Sequence, residues 1–248
     1  MPGYFSEHGL SFLVEAGGER ILFDTGASDV FLKNALKLDI DLKEISQVVL
    51  SHGHWDHGNG LVHLKDKDLL CHPGCFRKRY RRGGDQDIGL SQSRKELEKR
   101  FRIRTSAEAV LLAPGFWFLG EVPRENDFEA RSTKYVLEDG SDDFISEDSG
   151  MACLTEHGLV VISGCAHSGI CNMVEHARRV SGEQRVYAVI GGFHLKVINE
   201  QTRRTAQYLR ELGAAEILPS HCTMDRALEF FLGEFGQKDI QAGDCIVF

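Results

Sequence analysis

Ser51-His52-Gly53-His54-Trp55-Asp56-His57-Gly58 follows directly after the apolar run Gln47-Val48-Val49-Leu50. This histidine-rich segment places three histidines and one carboxylate within six positions. Neutral imidazoles and carboxylates are the ligands that suit Zn, Mn or Fe. His52 and His54 would share one side of an extended segment, while Asp56 and His57 begin the following turn. We therefore interpret the segment as a site for one or two metal ions rather than as a solvated loop.

The histidine-rich segment resembles the signature of a known enzyme family. His52, His54, Asp56 and His57 match the H-x-H-x-D-H signature of the metallo-β-lactamase superfamily, and Leu22-Phe23-Asp24-Thr25-Gly26 is similar to its early strand ending in Asp-Thr-Gly. The resemblance implies an α/β fold, an αββα sandwich with the metal site in the groove between its two halves. It also implies that the first two histidines bind one metal, that the Asp-His pair binds the second, and that Asp24 supports the ligands.

Further segments resemble one branch of this superfamily. The branch comprises metal-dependent hydrolases and includes the methanopterin-pathway dihydropterin ribofuranosylaminobenzene phosphate synthase. Its members usually carry one more strand before the first of these segments, so the first edge of the sheet is expected to differ here. The segments are Glu7-His8-Gly9-Leu10-Ser11-Phe12, Gly120-Glu121-Val122-Pro123-Arg124, Ser163-Gly164-Cys165-Ala166-His167-Ser168-Gly169, Gly191-Gly192-Phe193-His194-Leu195 and Pro219-Ser220-His221-Cys222-Thr223.

Two histidines in these segments extend the predicted ligand set. His167 follows the apolar run Val160-Val161-Ile162-Ser163, and His221 follows Ile217-Leu218-Pro219-Ser220. Both stand at predicted strand exits, where ligands converge in α/β folds. The resemblance then implies that both are metal ligands. The simplest division gives His52, His54 and His167 to one metal and Asp56, His57 and His221 to the other.

The superfamily's bridging aspartate is missing from this sequence. The strand that ordinarily ends in Gly-Asp reads Gly164-Cys165-Ala166-His167 here. Cys165 as a thiolate and Asp148 from a neighbouring loop are two open replacements. Because free cysteine usually behaves as a small buried residue, we favour a structural role for Cys165. Asp148 is kept as a candidate ligand or substrate contact.

Other residues are candidates for catalysis or substrate binding. Asp56 would orient the nucleophile as well as hold a metal. His194 ends another predicted strand beside glycines that permit close backbone approach, so we assign it substrate binding or general acid catalysis, with a structural histidine as the alternative. Glu7 and His8 are expected at the rim of the groove. The remaining histidines, interpreted as structural or surface residues, are His63, His72, His157 and His176.

Length and composition predict an ordinary globular enzyme. The 248 residues suit a single domain with halves at about 1–120 and 121–248, and 42% hydrophobic with 27% charged residues is near the globular average. The longest apolar runs fall far short of the ~20 residues that span a bilayer. The N-terminus lacks a signal-peptide pattern, and seven cysteines without a C-x-x-C pair favour a reducing compartment. We therefore predict a cytoplasmic protein.

The charge distribution excludes one class of partner and leaves another open. A net charge of -8 disfavours nucleic-acid binding, since phosphate contacts need a positive surface. A basic segment nevertheless runs from Arg77 to Arg104, with eleven Lys or Arg residues and four acids. It is either a solvated surface or a grip for an anionic substrate.

The pattern of apolar residues predicts strands that alternate with helices, which is typical of α/β proteins. Ser28 is expected to cap the first helix, and Ser91 to Arg100 is expected to form another. Strands are predicted in the second half near 152–154, 159–163, 187–190 and 216–218. Helices are predicted there near 172–180, 200–212 and 224–232.

Together these features favour a hydrolase that uses a metal-activated water on an anionic, phosphorylated small molecule. Zn is the favoured metal, with Mn or Fe as alternatives, and one or two ions are expected. A second hypothesis is the pterin and ribofuranosylaminobenzene phosphate synthase, a transferase that releases diphosphate. A third is a non-catalytic, metal-stabilised binding protein. A di-iron redox protein is weaker, because no flavodoxin-like segment delivers electrons.

Overall fold

Each of two β-sheets carries its own layer of helices. The computed structural model describes residues 3–237 and 239–248, with the side chain of Asp225 excepted. Segments of the two units alternate along the chain, and the single-domain assignment stays a prediction. The first unit comprises Met1–Ala107, Ser132–Glu147 and Gln241–Cys245, and the second comprises Glu108–Arg131, Asp148–Ile240 and Ile246–Phe248.

The sheet of the first unit has the strand order β1-β2-β3-β4-β6. An antiparallel hairpin forms its edge, and the remaining strands run parallel. Both faces are apolar, since Val48, Val49 and Leu50 are all fully buried, which is typical of parallel sheets. The strands are β1 (Phe12–Ala16), β2 (Glu19–Phe23), β3 (Gln47–Leu50), β4 (Lys67–Cys71) and β6 (Phe101–Thr105), with β5 (Arg79–Arg81) and β9 (Tyr135–Leu137) as a separate antiparallel pair.

The helices of the first unit are short. They are α1 (Val30–Lys37), α2 (Trp55–Gly58) and α3 (Arg94–Leu97), with 3-10 helices at Asn59–His63 and Pro73–Phe76. Two predictions were wrong in their bounds. The helix expected from Ser91 begins only after Ser93, which forms a capping box with Glu96. The N-cap of α1 is Asp29 rather than Ser28, but the Ser28 hydroxyl still accepts the backbone N–H of Val30, the first residue of the helix, at 3.3 Å, and itself donates to Glu7.

The sheet of the second unit has the order β13-β12-β11-β10-β8-β7. Its strands β11, β12 and β13 are parallel, and the others pair antiparallel. All four strands predicted for this half are present. The elements are β7 (Val110–Ala113), β8 (Phe116–Phe118), β10 (Gly150–Thr155), β11 (Gly158–Ser163), β12 (Val186–Gly192), β13 (Glu216–Ser220), α4 (Ile170–Ser181), α5 (Glu200–Leu212) and α6 (Asp225–Phe235).

The crossover helices of the second unit cover one face of its sheet. Parallel neighbours cannot be joined by a tight turn, so α4 connects β11 to β12 and α5 connects β12 to β13. Met173 of α4, Leu209 of α5 and Phe231 of α6 are fully buried in one cluster with Val161 and Val189 of the sheet. This packing fixes the carboxyl ends of three parallel strands at one edge. Among the described residues, no helix combines the length and apolar character needed to cross a membrane.

Candidate metal centre

The histidine-rich segment leaves the carboxyl end of β3 and turns into α2. His52 and His57 are fully buried, and Asp56 is 7% exposed. Gly53 is required at its position, because a Cβ there would overlap the backbone of Cys75. A glycine between the first two histidines therefore lets the histidine-rich segment pack directly against the backbone of Cys75. This close approach places the imidazoles inside the first unit.

The four side chains of the H-x-H-x-D-H signature converge. His52 Nε2 lies 2.9 Å from His54 Nδ1, and His57 Nε2 lies 3.8 Å from Asp56 Oδ2. The ring centroids of His52 and His57 are 4.2 Å apart. Nitrogen and carboxylate donors so close together, and buried, are the donor set that a divalent transition metal takes.

Asp24 supports this donor set through hydrogen bonds. Its Oδ1 accepts the backbone N–H of Ser51 at 2.7 Å, and its Oδ2 accepts the Ser51 hydroxyl and lies 2.7 Å from His57 Nδ1. With Nδ1 of His57 donating to the carboxylate, Nε2 keeps its lone pair for a metal. Asp24 follows β2 with φ 60°, a left-handed conformation that an L-residue adopts at a cost.

We expect the Asp24→Asn variant to bind metal about 10–100-fold more weakly, because the amide no longer accepts all three hydrogen bonds and His57 loses its fixed orientation. The affinity would be measured by competition with a chromophoric chelator. Asp66→Asn is a matched control, since Asp66 also has a positive φ of 57° but is exposed. Equal affinity in the Asp24 and Asp66 variants would contradict the supporting role of Asp24.

Glu7 and His8, which are neighbours in the sequence, make different contacts in the first unit. Half-exposed His8 places Nε2 3.3 Å from Asp56 Oδ2, beside the signature. Glu7 points elsewhere: its Oε1 accepts the backbone N–H groups of Ala27 and Ser28 at 2.9 and 3.2 Å. Glu7 therefore secures the turn after β2, and only His8 of this pair approaches the signature.

Three predicted site histidines of the second unit follow its three parallel strands. His167 comes after β11, His194 after β12 and His221 after β13, and all three are half-buried. The rings of His167 and His194 are 4.3 Å apart between centroids. His194 and His221 have φ of 53° and 52°, and Ala166 has 54°. Each such conformation costs of order 1–3 kcal/mol and persists only where the surroundings impose it, a pattern that concentrates at functional sites.

Two cysteines lie with His194 at the same strand ends. Cys165, His194 and Cys222 each offer one ligand atom, and these three atoms lie within 4.8 Å of one another. The backbone N–H of His194 donates to Cys222 Sγ at 3.2 Å. Burial raises the pKa of the Cys222 thiol, but its contacts with Cys165 and His194 outweigh burial and bring that pKa well below its ordinary value. Sequence reasoning gave Cys222 no role, although it directly follows His221 in a branch motif.

Asp148 is fully buried in the second unit. Its Oδ2 accepts the backbone N–H of Ser168 at 3.0 Å and the Ser168 hydroxyl at 2.6 Å. Burial raises the pKa of Asp148, against the opposing effect of these two hydrogen bonds. The carboxylate thereby fixes the turn that carries His167, and Oδ1 has no hydrogen-bond partner among the described residues.

Much of the basic segment between Arg77 and Arg104 serves the fold. Arg79 is fully buried and forms ion pairs with Glu147 and, at 3.4 Å, with Asp143. Arg102 pairs with Asp68 at 2.6 Å, and Arg100 donates to the carbonyl of Leu64 at 2.9 Å. These cations are neutralised or hydrogen-bonded within the first unit, so the segment is neither wholly solvated nor wholly available to an anion.

The donor chemistry of the first unit fits a divalent metal ion. Asp24 and Asp56 are buried carboxylates beside buried imidazoles, and an ion would balance their charge in a medium of low dielectric constant. The imidazoles would supply nitrogen ligands and Asp56 an oxygen ligand. This set suits Zn, Mn or Fe better than the all-oxygen sites of Ca²⁺ and Mg²⁺.

Comparisons with known proteins identify the family to which this fold belongs. A family model of the metallo-β-lactamase superfamily matches residues 7–68. The chain is 36% identical to 7,8-dihydropterin-6-methyl-4-(β-D-ribofuranosyl)-aminobenzene-5'-phosphate synthase of Methanocaldococcus jannaschii, over 99% of this chain and 91% of that protein. It is 32% identical to the uncharacterized protein MJ0448 of the same organism, over 91% and 87%.

A solved structure extends the comparison to the whole fold. The crystal structure of Tm1679, described as a metal-dependent hydrolase of the β-lactamase superfamily, superposes with a TM-score of 0.86 at 33% identity, covering 98% of this chain and 93% of that one. The chain belongs to the metallo-β-lactamase superfamily and has its fold, which confirms the family and fold predicted from the sequence. Its named relatives are a synthase and a metal-dependent hydrolase, which confirms the prediction of an enzyme, and the superfamily typically binds metals.

Proposed function

We propose that the protein is a metal-dependent hydrolase that acts on an anionic, phosphorylated small molecule. The observation that carries this proposal is the buried donor set of the first unit, oriented from behind by Asp24. One or two divalent ions, Zn²⁺ first among them, would be its cofactor. The ligands that we propose are His52, His54, Asp56, His57, His167 and His221.

The residues of the signature would divide the work between binding and orientation. A bound divalent ion supplies a water whose pKa is lowered to near neutrality. Asp56 would hold the ion and orient the attacking water with its carboxylate. His8, 3.3 Å from that carboxylate, would fix its direction from the solvent side. Asp24 would keep His57 in the tautomer that presents Nε2.

The proposal of a phosphorylated substrate has chemical support. The synthase of M. jannaschii to which the chain is similar is named for a product that carries a 5'-phosphate. A net charge of -8 disfavours nucleic acid as the anion, so a small metabolite is the proposed partner. None of the seven cysteines, all of which lie within the described part of the chain, forms a disulfide bond. A reducing compartment such as the cytoplasm would suit them.

The test is metal-dependent turnover. Protein stripped with a chelator and reloaded with Zn²⁺ or Mn²⁺ would be incubated with phosphomonoesters, phosphodiesters and nucleoside diphosphates, and phosphate release would be followed. We expect release only from the reloaded protein. Binding of these compounds without turnover under either metal would overturn the hydrolase and favour the non-catalytic binding protein.

A second candidate is supported by a separate observation, the 36% identity to the synthase over 91% of its length. In that reaction a pterin diphosphate would be joined to a ribofuranosylaminobenzene phosphate with loss of diphosphate. Purified metal-loaded protein given both substrates should then release diphosphate and form the joined product. Diphosphate release no greater than that of the metal-free protein would exclude the synthase.

A further inference from the structure

The carboxyl ends of β11, β12 and β13 bring two thiols and an imidazole together. Ligand atoms of Cys165, His194 and Cys222 lie within 4.8 Å of one another, and all three residues belong to the second unit. Cys165 is 3% exposed and Cys222 is 4% exposed. The three residues come from three different strand exits, so the cluster is a product of the fold and not of local sequence.

These two thiols differ from the other buried cysteines. Cys71 and Cys75 belong to the hydrophobic core of the first unit, and Cys171 belongs to that of the second, where a cysteine behaves as a small apolar side chain. Cys165 and Cys222 instead lie beyond the strands, next to histidines. Sulfur together with imidazole nitrogen is the donor combination of zinc and iron sites.

The backbone around the cluster is shaped to hold sulfur. The backbone N–H of His194 donates to Cys222 Sγ at 3.2 Å, which stabilises charge on that sulfur. A Cβ on Gly192 would lie 2.6 Å from the same sulfur, so only glycine leaves room for it. Ala166 and His194 both take left-handed conformations, with φ of 54° and 53°. His194 Nδ1 is buried without a hydrogen-bond partner among the described residues.

We propose that Cys165, His194 and Cys222 bind a thiophilic divalent ion, Zn²⁺ in the first instance, through two thiolate sulfurs and one imidazole nitrogen. Binding would release two thiol protons as two metal–sulfur bonds form, so the charge of the ion is balanced. Two cysteines and one histidine are also the protein ligands of Cys2His catalytic zinc sites. His194 then acts as a ligand, in place of the general acid role expected from the sequence.

The test is spectroscopic and needs no substrate. The 248-residue chain would be stripped with a chelator and titrated with Co²⁺, and the near-ultraviolet charge-transfer absorption of thiolate-bound Co²⁺ would be recorded. We expect this absorption in the native protein, and its loss in Cys222→Ser and in Cys165→Ser. Cys153→Ser is the matched control, because Cys153 is also buried but lies within β10. X-ray absorption of the Zn²⁺-loaded native protein should show Zn–S distances of about 2.3 Å.

The outcomes separate this inference from the proposed function. Co²⁺ binding with visible d–d bands but no thiolate absorption, together with only nitrogen and oxygen around zinc, would overturn the sulfur site and leave the His and Asp ligands standing. Failure of the native protein to bind Co²⁺ or Zn²⁺ at all would overturn both. The X-ray absorption measurement uses the native chain, so its result holds even if a cysteine variant fails to fold.

Discussion

Replacing Arg79 with methionine should lower the free energy of unfolding by about 3–5 kcal/mol, because the carboxylates of Glu147 and Asp143 would remain buried without a counter-charge. Arg79 is fully buried, and its guanidinium also donates to the carbonyl of Gly74 at 3.3 Å. Burial alone would lower the pKa of Arg79, but the charges of Glu147 and Asp143 raise it. The side chain is therefore cationic in the folded protein, and its positive charge is needed to balance the two buried carboxylates.

Urea unfolding followed by circular dichroism would measure this effect. Arg81→Met is the control, since Arg81 lies on the same strand, β5, but is exposed. The triple variant Arg79→Met, Asp143→Asn, Glu147→Gln should recover part of the lost stability, because it removes the buried charges together. If Arg79→Met were as stable as Arg81→Met, the ion-pair cluster would not stabilise the first unit.

Replacing Asp56 with asparagine should reduce metal-dependent turnover by about 10³-fold, which corresponds to the several kcal/mol that a correctly held ion contributes to a transition state. Asparagine keeps the shape of the side chain but removes the charge that would hold the ion. Metal content per chain should fall in the same variant. Elemental analysis and a turnover assay on the same sample would measure both.

Asp39→Asn is the control for this variant, because Asp39 is an exposed aspartate of the same unit. Unfolding midpoints of the two variants should be compared first, so that a loss of turnover is assigned to the site and not to the fold. Native metal content and turnover in Asp56→Asn would remove Asp56 from the proposed ligand set.

The sequence predicted those parts of the fold and site whose signals are local. The apolar runs of β3, β11, β12 and β13 marked strands, and the spacing of His52, His54, Asp56 and His57 marked a donor set. The short helix α3 shows the limit of such signals. A capping box at Ser93 starts a helix, but the chain must enter β6 at Phe101, and the sheet decides where the helix ends.

The missed features depend on contacts between distant parts of the chain. Nothing near Arg79 distinguishes it from the other cations of its segment, and its carboxylate partners follow more than 60 residues later. The cluster of Cys165, His194 and Cys222 arises only when three strands align. A cysteine close to a histidine at a strand exit was the available signal for a ligand. It was set aside because free cysteine usually behaves as a small buried residue.

Asp24, Ala166, His194 and His221 all have a left-handed backbone conformation, which an L-residue adopts only at a cost in stability. Glycine would relax the backbone at each of them, yet at three it would delete a polar side chain of the candidate centre. Laboratory evolution for heat resistance alone would therefore favour glycine at Ala166, His194 and His221, but not at Asp24, whose carboxylate also accepts buried hydrogen bonds from Ser51 and His57. A second selection would be done at high temperature in cells that also need the protein's activity. The side chains that persist at these positions would then be those on which the activity depends.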